Sequence, residues 1–347
     1  CTSLATIILG ENTKLCREMF VNTAVETLDI YERNSIPVFA FAKNPHLKKV
    51  TFHNPLLSIG LGAFCQNPLL DDVVFKGSVG EISSQAFYAD TKLTAIRLPD
   101  GAITLGEYCF RDSGLKVLTL SDNTELVKIG ASAFDGTSLG TFAVTQTNAY
   151  YATEADGALL TSKDGKQVIL AAIANDFGDY TLPEKYEKIA SGAFSGANIT
   201  SIVFANPDIV IGAFAFNECT SLTAVIFPDT VSENATVGER AFNGCAELAT
   251  VVNLDKLKNV DKYGFANTGL REIVIGAGAQ LGEGAFFQSK VEKLTVGANS
   301  SFGMGSFQRC TLLETVVMPD GGNVHFGADC FAYCTSLTSK DMSKTDE

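Results

Sequence analysis

Apolar positions recur along the chain at a nearly constant interval, and phenylalanine marks them best. Neighbouring marks are 21 to 26 residues apart, apart from one interval of 60 residues. Five residues before most of them stands an aliphatic or aromatic residue that glycine often follows, as in Ile59-Gly60. The recurring residues are Phe20, Phe41, Phe64, Phe87, Phe110, Phe134, Phe194, Phe216, Phe242, Phe265, Phe286, Phe307 and Phe331. Such an interval is typical of a chain built from stacked repeats.

A second apolar motif follows most of these phenylalanines. It reads apolar, two variable residues, aliphatic, one variable residue, apolar, as in Leu222, Val225 and Phe227. Its last three positions alternate between apolar and variable residues, which predicts a short strand with one buried face. Because about 22 residues cannot bury an apolar face alone, each repeat must stack on its neighbours. The pattern predicts a repeat solenoid whose strands form a parallel sheet and whose phenylalanines fill the interior.

Residues Ile211 to Pro228 carry the whole pattern, I-G-x-x-A-F-x-x-C-x-x-L-x-x-V-x-F-P. The pattern resembles the BspA-type leucine-rich repeat, also called the Treponema-type repeat, and thirteen copies cover essentially the whole chain. The resemblance implies a leucine-rich-repeat-like, curved, right-handed, β-rich solenoid with a parallel sheet on one face and short or irregular segments opposite. It also implies a surface protein of bacteria or protists, linked to adhesion. The family offers no catalytic residues to carry over.

The long interval divides the chain into N-terminal repeats over 1–144, an insertion over 145–188 and C-terminal repeats over 189–347, which we expect to form one continuous solenoid. Apolar runs within the insertion flank Asp164-Gly165, a dipeptide that favours the turn of a β-hairpin. The insertion also resembles one that interrupts repeats in the same family. We expect a structural hairpin, with a protruding recognition loop as the alternative.

Both ends of the sequence lack the polar caps that a solenoid needs. Residues 1–4 match residues 219–222, so the chain begins within a repeat, and Leu337 opens a last copy that fades into a polar tail. We therefore expect a longer parent chain, with a lipid-anchored Cys1 as the alternative. No signal-peptide pattern precedes Cys1, so we expect the targeting segment of a surface protein to lie outside this sequence.

Charge and composition exclude several classes of function. The 26 Lys+Arg and 39 Asp+Glu residues give a net charge of −13, which opposes binding to nucleic acid or to an anionic membrane surface. No run of 18 apolar residues is present, so we expect no membrane insertion. With three histidines and no metal-ligand spacing, we expect no enzyme, no catalytic residues and no metal. Glycines within 276–284 resemble a dinucleotide fingerprint without a βαβ unit, so we expect no cofactor.

Nine cysteines, an odd number, leave at least one without an intramolecular partner. Four of them stand three residues after a repeat phenylalanine, and Cys1 occupies the equivalent position at the start of the chain. A small apolar side chain at this position completes the interior of the coil. Neighbouring repeats bring Cys219 near Cys245 and Cys310 near Cys334, so disulfides are conceivable there. Free buried thiols are the favoured interpretation.

The variable residue inside each strand motif points outward, and these residues form a column along the sheet. Charges such as Asp29 and Arg97 interrupt the column before the insertion, whereas five of six positions after it are aliphatic. The candidate partner-binding residues are Val203, Ile226, Val252, Val274, Thr295 and Val317. Strands about 4.8 Å apart would join Val203 to Val274 in one apolar stripe, a common mark of a contact site. Alternatively, β-branched residues merely suit strands, and Glu272 and Lys293 screen them.

These observations favour a non-catalytic, extracellular module at a cell surface. We expect it to bind a protein or glycan of a host or neighbouring cell through the sheet or the hairpin. The alternative is a structural spacer that projects another domain from the cell surface. A spacer needs no apolar column, so its outward positions should tolerate charge throughout.

Overall fold

The computed structural model describes residues 5–11, 13–130, 132–171 and 176–340. Over these ranges the chain is a β-solenoid with parallel sheets and almost no helix, which confirms the predicted fold class. Contacts divide the chain into two compact units, residues 1–164 with 170–175 and residues 165–169 with 176–347. The expectations about Cys1 and about the polar tail beyond residue 340 lie outside the described residues.

In the first unit, coils contribute strands to front sheets and to a rear sheet. The front strands come from the motif that follows the phenylalanine, and each pairs in parallel with its counterpart one coil later. They are Thr6–Leu9, Thr27–Ile30, Lys49–Phe52 and Asp72–Phe75 in one sheet, and Ala95–Leu98, Val117–Leu120 and Thr141–Val144 in another. The rear strands are Ser35–Ile36, Leu56–Ile59, Val79–Ile82, Gly101–Leu105 and Thr124–Ile129.

The second unit has the same front and rear arrangement. Its front strands are Asp176–Leu182, Asn198–Phe204, Ala224–Ile226 and Thr250–Val252 in one sheet, and Glu272–Ile275, Lys293–Val296, Thr315–Val317 and Ser339–Lys340 in another. Its rear sheet begins within Gln167–Ala171 and continues through Lys188–Ile189, Val210–Ile211, Thr236–Val237, Asn259–Val260, Gln280–Leu281, Ser301–Phe302 and His325–Phe326. A short 3-10 helix, Leu254–Lys256, follows the strand Thr250–Val252.

The rear sheets explain the aliphatic-glycine pairs of the repeat. The aliphatic residue ends a short rear strand, as Ile211 ends Val210–Ile211, and its side chain is buried. A Cβ added to Gly212 would lie 2.7 Å from the backbone nitrogen of Ser191, one coil earlier. On Gly282 it would lie 2.6 Å from the backbone nitrogen of Lys262. The glycine is therefore required by the close approach of successive backbones.

The repeated phenylalanines fill the interior and stack face to face. Ring centroids of successive coils are 5.3–5.6 Å apart from Phe20 to Phe134 in the first unit. They are 5.0–5.8 Å apart from Phe194 to Phe331 in the second unit. Most of these rings are fully buried. Truncating one such ring to alanine typically costs about 3–5 kcal/mol, so the stack is a major source of stability.

The segments that carry the phenylalanines form a third face without β-strands, which we call the turn ladder. The residues two before and two after each phenylalanine have positive φ, for example Phe39 at 53° and Lys43 at 58° around Phe41. The backbone N–H groups of Phe39, Phe41 and Lys43 donate to carbonyls of the next coil, with N···O distances of 2.8–2.9 Å. A non-glycine residue at positive φ costs about 1–2 kcal/mol. The conformation persists because neighbouring coils hydrogen-bond it in place.

Several side chains three residues after a repeat phenylalanine donate a hydrogen bond to a phenylalanine carbonyl, either in the same coil or in the preceding one. In the second unit, Cys219 and Cys245 donate their thiols to the carbonyl of the phenylalanine one coil earlier, with S···O distances of 3.0 and 3.1 Å. In the first unit, Asn44 Nδ2 donates to the carbonyl of its own Phe41 at 2.8 Å. The cysteines of the described ranges are not joined in disulfides. Those at this position therefore act as hydrogen-bond donors as well as small buried side chains.

The insertion, for which the sequence predicts a hairpin with its turn at Asp164-Gly165, contains an antiparallel hairpin that lies earlier in the chain. Strand Tyr151–Glu154 pairs with Leu159–Ser162, and the 3-10 helix Ala155–Gly157 connects them. Asp156 and Gly157 reverse the chain there, with φ values of 53° and 91°. The expected turn at Asp164-Gly165 follows this hairpin and separates Leu159–Ser162 from Gln167–Ala171.

Asp90 occupies the position that Asn44 and Asn67 hold in the two preceding coils. It is fully buried, its Oδ1 accepts the N–H of Asn67 at 2.7 Å, and its Oδ2 has no hydrogen-bond partner. Burial raises the pKa of this carboxyl well above its usual range, and the Asn67 N–H opposes that shift more weakly. Burial therefore favours the neutral form of the Asp90 carboxyl at a position where the two preceding coils carry a neutral amide.

We predict that Asp90→Asn raises the free energy of unfolding at pH 7 by about 1–3 kcal/mol. The stability contributed by the neutral carboxyl is complete below the unfolded-state pKa of about 4 and is lost as the pH rises through the raised folded-state pKa. Urea unfolding between pH 4 and pH 8 measures the difference between variant and wild type, which should grow with pH. Exposed Asp100→Asn is the control, and a difference independent of pH would contradict the assignment.

Thiol accessibility gives a second test of the coil packing. Cys16 is exposed, whereas Cys245 and Cys310 are buried, and burial raises the pKa of each of these two thiols to about 12. We predict that iodoacetamide at pH 8 alkylates Cys16 in the native protein and spares the two buried thiols until urea is added. Peptide mass spectrometry reads out each site. Fast native alkylation of Cys245 would show that the coils open.

Candidate partner-binding face

The outward column of the second unit is set by the alternation of its front strands. In Asn198–Phe204, Ile202 and Phe204 are buried, and Val203 between them faces outward. The same alternation buries Val225 completely and leaves Ile226 partly exposed. The exposed fraction reaches 40% at Val252, 52% at Val274 and 40% at Val317.

Strand register aligns the six candidate residues in two rows of three. Val203 lies opposite Ile226, which lies opposite Val252. Val274 lies opposite Thr295, which lies opposite Val317. Each row therefore presents three side chains side by side on three neighbouring strands.

The continuous stripe expected from Val203 to Val274 is not formed. Thr250–Val252 is the last strand of one front sheet, and Glu272–Ile275 is the first strand of the next. The 3-10 helix Leu254–Lys256 follows the first of these strands and packs against the second. The front sheet is interrupted by residues that lie between two strand motifs, so the motif itself does not predict the interruption.

The two rows differ in the charge of their neighbours. Glu272 and Lys293 lie opposite each other beside the second row, as the screening alternative supposed. Beside the first row, the matching positions are Ser201, Ala224 and Thr250, which are uncharged. We call Val203, Ile226 and Val252 the front patch. On a chain of net charge −13, it is an apolar, uncharged area three strands wide.

The outward column of the first unit is more polar. Asp29 Oδ1 lies 2.7 Å from His53 Nε2, and Lys76 Nζ lies 3.3 Å from the other ring nitrogen. Where the front sheet breaks after Asp72–Phe75, Val74 and Arg97 line a groove of about 350 Å³. The sequence analysis missed this groove because the break between the sheets leaves no mark in the repeat motif.

The model of the BspA type leucine rich repeat region matches residues 34–155, 175–289 and 235–346. The chain belongs to this family. Two solved structures share the fold of this BspA-type protein. A leucine-rich repeat protein from Eubacterium ventriosum is 18% identical with a TM-score of 0.60, over 98% of this chain and 86% of the other. A leucine rich cell surface protein from Faecalibacterium prausnitzii is 20% identical with a TM-score of 0.54, over 91% and 83%. No curated protein sequence matches the chain significantly.

Within the described ranges, no three His, Cys, Asp or Glu side chains gather where they could hold a metal ion. No helix in that part of the chain combines the length and the hydropathy needed to cross a bilayer.

The front patch can be tested for stability before any partner is known. We predict that Val252→Glu changes the free energy of unfolding by less than about 1 kcal/mol, because its side chain already meets water. Val225→Glu, one strand away on the buried face, should cost more than about 3 kcal/mol, since it buries a charge without a partner. Thermal and urea unfolding followed by circular dichroism compare the two. An unfolded Val252→Glu variant would show that the patch belongs to the core.

Proposed function

We propose that this chain is a non-catalytic interaction module, displayed at a cell surface, that binds a protein partner through the front patch. The observation that carries the proposal is the uncharged row of Val203, Ile226 and Val252, aligned by strand register on a strongly acidic chain. Apolar area exposed in one place, rather than scattered, is what protein contact sites share. A flat apolar row favours an apolar protein surface over a glycan, whose hydroxyl groups need hydrogen-bond partners.

Two further findings support this proposal. The chain belongs to a leucine-rich repeat family, and solenoids of stacked repeats present extended surfaces that bind other proteins. One solved structure of the same fold is described as a cell surface protein, which supports display outside the cell. The same family places no catalytic motif in the repeat, so the module is proposed to act by binding alone.

The proposal is tested by biolayer interferometry against immobilised matrix glycoproteins, with fibronectin, laminin, fibrinogen and collagen as the panel. We predict saturable binding to at least one of them and a loss of about tenfold or more in affinity for the double variant Ile226→Glu, Val252→Glu. Thr119→Glu, on an outward position of a front strand in the first unit, is the matched control and should bind like the wild type.

The spacer alternative makes the opposite prediction. Charged pairs such as Glu272 and Lys293 already occupy outward positions, as a spacer would tolerate. If the wild type binds no member of the panel, or if the double variant binds as well as the wild type, the front patch is not a contact site and the spacer becomes the better interpretation.

A further inference from the structure

A row of aromatic and arginine side chains runs along the turn ladder of the second unit. The Arg240 guanidinium lies over the ring of Phe214 at 5.6 Å and over that of Tyr263 at 5.1 Å. Tyr263 meets Phe287 edge to face, with centroids 5.9 Å apart. These contacts join successive coils on a surface that does not include the front patch.

The row ends at Arg309, which differs from the other arginines. Its guanidinium lies 6.0 Å from the ring of Phe287 and 5.7 Å from the ring of Tyr333. Every other arginine has a carboxylate or hydroxyl partner, as Arg240 has in Glu239 at 3.3 Å. Within the described ranges, the guanidinium of Arg309 has no carboxylate within 4.0 Å and no hydrogen-bond acceptor. The flanking rings contact the guanidinium without accepting its N–H groups in conventional hydrogen bonds, so these donors stay available.

Arg309 and Tyr333 line an open groove of about 530 Å³ that crosses three successive coils. Lys290 adds a second cation, and none of the described residues lining the groove is acidic. Leu312 and Tyr333 give it an apolar wall, with exposed fractions of 41% and 67%. Two cations without a carboxylate attract an anion, against the net charge of −13 on the whole chain. The volume suits a small ligand.

The polar groups of the groove define the rest of the ligand. Hydroxyls of Thr311 and Thr335 and the amide of Gln288 offer both donors and acceptors next to the cations. Tyr333, whose side chain is largely exposed, adds an aromatic ring to the wall of the groove. A ligand that matches all of these carries a carboxylate, a ring with an apolar face, and hydroxyl groups around the ring edge.

We propose that this groove binds a carboxylate-bearing sugar. Arg309 takes the carboxylate through paired N–H donors, and Lys290 adds a second positive charge. The Tyr333 ring packs against the apolar face of the pyranose, and the threonine hydroxyls and Gln288 bind the sugar hydroxyls. An acidic peptide has the carboxylate but lacks the hydroxylated ring. The site lies on a different face from the front patch and does not depend on the function proposed there.

The test uses the full chain with sialyllactose and a galacturonate trimer, each beside its neutral match, lactose and the methyl-esterified trimer. We expect saturable calorimetric binding of at least one acidic sugar and none of its neutral match. Arg309→Gln should weaken that binding about tenfold or more, because it removes charge-assisted hydrogen bonds. Arg111→Gln is the matched control in the first unit, since Arg111 also lies over a tyrosine ring but pairs with Asp112.

Saturation-transfer NMR separates sugar recognition from simple charge attraction. Tyr333→Phe should keep the transfer to the ring protons of the sugar, and Tyr333→Ala should abolish it in a protein whose melting temperature is unchanged. The proposal is overturned if neither acidic sugar binds, if Arg309→Gln binds like the wild type, or if a short polyglutamate peptide binds as tightly as the sugar. That last result would identify an unselective anion patch.

Discussion

The structure depends on one constraint: the distance between successive coils must suit both the hydrogen bonds between their strands and the stacking of their phenylalanine rings. Parallel strands are about 4.8 Å apart when hydrogen-bonded. The phenylalanine rings stack with centroids 5.0–5.8 Å apart, close to that spacing, because offset rings prefer it. Front strands, rear strands and the turn ladder all hydrogen-bond at the same repeat distance. Each coil is thus held on three faces around one ring.

This constraint explains which positions tolerate change. Several of the stacked phenylalanines have a carbonyl that accepts a side-chain hydrogen bond in the interior, and amides, thiols and hydroxyls at one position of the repeat donate it. At the same position, burial raises the pKa of the Asp90 carboxyl and so favours its neutral form. The interior therefore selects for a donor of the right size rather than for one residue type, and the reactivity of the cysteines is lost to burial.

Function is confined to what the stacking leaves free. Outward side chains of the strands and exposed side chains of the turn ladder do not pack in the core, so they can differ from coil to coil. The front patch, Val203, Ile226 and Val252, and the groove at Arg309 and Tyr333 use two such surfaces of the second unit. One is apolar and uncharged and the other is cationic, and each stands out against an acidic chain.

The repeat, the buried phenylalanines and the outward position of Val252 can all be predicted from the amino-acid sequence, because each follows from a local pattern repeated many times. The break in the front sheet after Val252, the hairpin that starts at Tyr151 and the groove shared by Arg309 and Tyr333 become visible only in the folded chain. Arg309 and Tyr333 are 24 residues apart and occupy a position that varies among the coils. Their contact depends on how side chains from successive coils pack, and a motif read along one repeat contains no information about that packing.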